Sequence, residues 1–86
     1  MNVLTASAIL LEQVNQLTNI IQNIALISTQ INNIANQENQ DNVNSIPDVN
    51  ARIKALCGAM NVQLVSTTSQ TVLVQQALDQ LSELVN

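Results

Sequence analysis

Apolar residues recur along the first part of the chain at Leu10, Val14, Leu17, Ile21, Ile24, Ser28, Ile31 and Ala35, in alternating steps of four and three with one polar member. That alternation keeps one stripe of a helix turned toward a neighbour in a left-handed coiled coil. Ile20, Ile27 and Ile34 form a second stripe, one residue every seven, beside the first. The apolar face is therefore wider than a simple coiled-coil seam.

The last part of the chain repeats the pattern at Ile53, Cys57, Met60, Leu64, Thr67, Thr71, Val74, Leu78, Leu81 and Val85, where every member is apolar or threonine. Between the two segments, from Asn36 to Asn44, the period is lost and asparagine and aspartate accumulate, side chains that compete for backbone hydrogen bonds and favour turns. The run Ser45-Ile46-Pro47-Asp48 then reads as a helix start. Ser45 and Asp48 have capping-box spacing, Pro47 sits in the first turn where its missing N–H costs nothing, and Asp48 suits the positive end of the helix dipole, with Arg52 one turn on.

These signals predict a single domain over 1–86: a helix over about 4–37, a polar turn over about 38–45 and a helix over about 46–85. The fold class is all-α, an antiparallel helical hairpin of two long coiled-coil-like helices that packs into a helical bundle or larger homo-oligomer. A turn near residue 41 pairs Ile31 with Ile53, Ile24 with Met60, Leu17 with Thr67 and Leu10 with Val74. Local propensity opposes the second helix in places. Residues 66–74 are rich in β-branched side chains, and Gly58 costs about 1 kcal/mol against alanine, so packing is expected to hold that helix.

Composition sharpens this picture. The apolar residues are 47% of the chain and contain no Phe, Tyr or Trp, which points to a long, thin aliphatic seam and not to a compact aromatic core. Only 9% of residues are charged against roughly 25% in ordinary soluble proteins, and polarity comes from amides and hydroxyls. Weak net charge lowers self-repulsion and favours association. Arg52 and Lys54 are the only basic residues, too few to neutralise a nucleic acid backbone or to dock on anionic lipid. The apolar runs are far shorter than the ~20 residues of a membrane span. The N-terminal run MNVLTASAILLEQ has no positive region of the kind that opens a cleavable signal, so the default expectation is cytoplasmic.

Candidate chemistry is sparse. With no histidine the commonest base and metal ligand is missing, and no enzyme activity, cofactor or metal is expected. The acids are Glu12, Glu38, Asp41, Asp48, Asp79 and Glu83. The trio at the turn could offer oxygen ligands but lacks the spacing and glycine of a calcium loop, and reads as solvated. Cys57 occupies a seam position and reads as a small buried hydrophobe, with an intermolecular thiol as the alternative. Thr67 and Thr71 are expected to bond back to helix carbonyls. Gln63 and Gln70 flank the seam, and Asn15, Asn19, Gln22, Asn23 and Gln30 line the outside of the first helix.

Two helices joined along one seam cover one face each, which leaves Ile20, Ile27, Ile34, Leu26, Val62, Val65, Val72, Leu73 and Leu84 outside it. Surplus aliphatic surface of this kind marks an interaction site. The expectation is a non-enzymatic structural protein that self-associates through Leu10, Val14, Leu17, Ile20, Ile21, Ile24, Ile27, Ile31, Ile34, Ile53, Met60, Leu64, Val74, Leu78, Leu81 and Val85 into a dimer, larger homo-oligomer or polymer. The alternative is a small adaptor or inhibitor that offers one aliphatic stripe to another helical protein. In size and in its long helices around a polar, proline-containing turn, the chain resembles the small subunits of secretion needles. In its amide-rich, low-charge composition it resembles refractile-body subunits. Neither resemblance transfers a site residue.

Overall fold

A computed structural model describes the backbone of residues 1–40 and 46–86 and the side chains of residues 1–36 and 48–86. Two helices, α1 (Val3–Gln40) and α2 (Ile46–Val85), pack against each other as an all-α hairpin. At 38 and 40 residues each helix spans roughly 57–60 Å, and the molecule measures 62 × 17 × 15 Å. Its radius of gyration is 19.2 Å, against roughly 12 Å for a compact chain of this length.

The helix ends have local causes. Asn2 caps α1: its Oδ1 accepts a hydrogen bond from the Thr5 amide at 2.8 Å, and its carbonyl accepts from the Ala6 amide at 3.0 Å. The helix runs through Gln40, about three residues beyond the expected end, because each added residue of a formed helix gains a hydrogen bond for one more ordered residue. Pro47 lies in the first turn of α2, and Asp48 there is 4.0 Å from Arg52. The expected Ser45 cap and the turn over 41–45 lie outside the described residues.

Within the β-branched run the threonine hydroxyls are satisfied in place. Thr67, Thr68 and Thr71 each donate from Oγ1 to the carbonyl four residues earlier, at 2.7–3.1 Å. Gly58 lies in α2 with open space where a Cβ would stand.

Among the described residues one side-chain pair hydrogen-bonds across the helices and marks their register. Gln70 Nε2 donates to Gln13 Oε1 at 2.7 Å and to the Gln13 carbonyl at 3.0 Å. Gln13 level with Gln70 is, within one residue, the register that pairs Leu17 with Thr67 and Leu10 with Val74.

Candidate assembly face

Which stripes meet inside the hairpin follows from helix geometry. At 100° per residue, position i+3 lies about 60° to one side of position i and position i+4 about 40° to the other. Both helices share one set of inward positions with the sequence expectation: Leu10, Leu17, Ile24 and Ile31 on α1, and Ile53, Met60, Thr67, Val74 and Leu81 on α2. All of these are half-buried. The second inward set is the i+3 set, with Gln13, Ile20, Ile27 and Ile34 facing Leu56, Gln63, Gln70 and Ala77. The five residues classed as buried among those described, Ala6, Ile27, Ile34, Gln70 and Ala77, all belong to it.

The expected seam is therefore half displaced. Val14, Ile21, Ser28 and Ala35 on α1, and Cys57, Leu64, Thr71, Leu78 and Val85 on α2, belong to the i+4 set and are exposed. Ile20, Ile27 and Ile34, expected outside the seam, lie within it. Both sets keep the same alternation of steps, so periodicity does not choose between them. The i+3 choice encloses three isoleucines and Leu56 and lets two glutamines at one level satisfy each other. The i+4 choice would set Ser28 against Cys57. Cys57 is accordingly an exposed free thiol and not a buried one.

The displaced stripes converge on one flank. The helices run in opposite directions, so a rotation of the same sense about each axis carries residues toward the same side of the pair. The i+4 stripes of α1 and α2 thus lie side by side. Among them Val14 is 39% exposed, Ile21 52%, Leu64 51% and Leu78 45%. The half-buried Leu17, Ile24, Met60 and Val74 lie beside them toward the seam, and Leu11 extends the apolar surface around α1. The opposite flank is more polar. There Gln30 and Arg52 join Asn33, Ile34, Ala55 and Leu56 around a shallow open groove near the turn end, whose lining holds one cation and two amides but no nucleophile.

A separate ridge on the outer side of α2 exposes Val62, Val65 and Val72, with Leu73 beside it. Leu26 is exposed on the outside of α1, and Leu84 is exposed at the end of α2.

The polar residues have definite places. Gln70, expected to flank the seam, is buried in it, and its partner Gln13 was not singled out by periodicity. The signal available was positional: the two glutamines occupy one level of the antiparallel register. Thr67 and Thr71 bond back to carbonyls as expected, Thr67 half-buried and Thr71 exposed. Of the turn acids only the Asp48 side chain is described, and it is exposed.

Among the described residues no helix is long and apolar enough to cross a membrane. No protein family model matches the chain, and neither a curated protein nor a solved structure matches it.

Proposed function

We propose that this chain is a non-enzymatic structural subunit, a helical hairpin that self-associates through the aliphatic flank built by Val14, Ile21, Leu64 and Leu78. The observation that carries this reading is a continuous aliphatic flank along a hairpin with a thin core: among the described residues only Ala6, Ile27, Ile34, Gln70 and Ala77 are buried, and just two of these are large aliphatic side chains. The solvent-accessible area is 6132 Å², whereas a compact monomer of this mass exposes roughly 5000 Å². The excess of about 1100 Å² is comparable with the ~800 Å² per partner that a stable interface buries.

Two hairpins laid flank to flank make a four-helix bundle, in which the half-exposed Leu17, Ile24, Met60 and Val74 become a core. The valine ridge of α2 stays outside that bundle and offers a contact for growth beyond a dimer. Sedimentation velocity on the full chain tests the reading. A dimer or larger species is expected at micromolar concentration, with Ile21→Asn and Leu64→Asn dispersing it. A wild-type chain that remains monomeric at that concentration overturns self-assembly and leaves the adaptor reading, in which the same flank receives another helical protein.

A further inference from the structure

The proposed self-association leaves open how the second hairpin sits on the flank, and the order of side chains along it carries an answer. From the Gln13–Gln70 register, the three central levels of the flank are Ser28 beside Cys57 toward the turn, Ile21 beside Leu64, and Val14 beside Thr71 toward the open end, with Ala35 and Leu78 beyond them at the two ends. The middle level, Ile21 and Leu64, falls at mid-length of both helices.

Resting on that reading, we infer that the occupant of the flank is a second copy of this chain related by a two-fold axis through the Ile21–Leu64 level, with the two turns at opposite ends of the bundle. A two-fold axis across the bundle places Ile21 and Leu64 against their own copies and sets Val14 and Thr71 of each chain against Ser28 and Cys57 of the other. Medium side chains then face small ones in both outer layers. With the turns at the same end, both copies of Ser28 and Cys57 fall in one layer, four small side chains together. That layer would leave unfilled space beside a crowded one, and interiors tolerate neither.

Charge favours the same arrangement. The sequence around the turn carries Glu38, Asp41 and Asp48 against Arg52 and Lys54, while the open end carries Glu12, Asp79 and Glu83 with no basic side chain. Opposed turns put each weakly charged end beside a strongly acidic one. Aligned turns would gather all six open-end carboxylates at one end, where like charges repel.

A spin-label distance tests this in the full chain. Ala51, exposed on α2 near the turn and off the flank, is labelled as Ala51→Cys in a Cys57→Ser background. It lies 13 residues from the Leu64 level, so opposed turns separate the two labels by about 40 Å along the bundle, and aligned turns by only the bundle width of about 20 Å. The measurement is made at a concentration where sedimentation gives a dimer. A distance of about 40 Å supports the arrangement. A distance of about 20 Å overturns it while self-association stands, and a labelled chain that stays monomeric at every concentration overturns both. Because this variant leaves Ile21 and Leu64 intact, it does not depend on whether flank substitutions still permit folding.

Discussion

The Gln13–Gln70 pair permits a quantitative test of how the hairpin is aligned. Gln70 is 7% exposed, and its amide spans the seam to Gln13 at 2.7 and 3.0 Å. Replacing either glutamine with leucine leaves the other amide facing an aliphatic neighbour, a desolvation penalty of about 1–3 kcal/mol that added apolar burial offsets in part. Replacing both removes the penalty along with the bond. The double variant Gln13→Leu with Gln70→Leu is therefore expected to be at least as stable as wild type, and more stable than the two single effects added together. Gln13 is only half-buried, which places the coupling near the low end, about 1 kcal/mol, or roughly 4–8 °C in Tm for a chain of this size. Urea unfolding followed by circular dichroism, at fixed and matched protein concentrations, measures the four corners of the cycle. Single effects that add to within about 0.3 kcal/mol would show that the two amides are independent and that the pair does not align the helices.

Three further outcomes follow from local geometry. Gly58→Ala has open space for its methyl group and should stabilise α2 by about 1 kcal/mol, read as a higher urea midpoint with unchanged slope; a lower midpoint would mean that this position is covered. Asn2→Ala removes the cap on the Thr5 amide and should cost about 0.5–1 kcal/mol, with amide exchange accelerated in the first turn of α1 and unchanged in α2. Cys57 is exposed in the single hairpin but belongs to the proposed docking flank, so its alkylation should slow as protein concentration rises through the range where association begins; a rate independent of concentration would place the interface elsewhere.

The all-α hairpin was legible in the chain because long runs of alternating three- and four-residue steps admit few other structures, and because a stretch that loses its apolar period and gathers asparagine beside Pro47 separates them. The threonine hydroxyls were also legible, since a hydroxyl inside a helix has a carbonyl four residues back within reach. The Asn2 cap has the same local origin, an amide side chain just before an apolar helix, but it lies outside the apolar period and leaves no mark in the stripes.

Which half of the apolar surface faces inward was decided only in three dimensions. Leu10, Leu17, Ile24 and Ile31 serve either seam. Gln13, Ile20, Ile27 and Ile34 compete with Val14, Ile21, Ser28 and Ala35 for the remaining places, and each set has the same period. Period reports how often a residue returns to a face but not which side of that face meets the neighbour. The choice depended on what α2 presents at each level, above all on Gln70 reaching Gln13. The same choice turned Ile21, Leu64 and Cys57 outward together, so the exposed flank is a property of the paired helices and of neither helix alone.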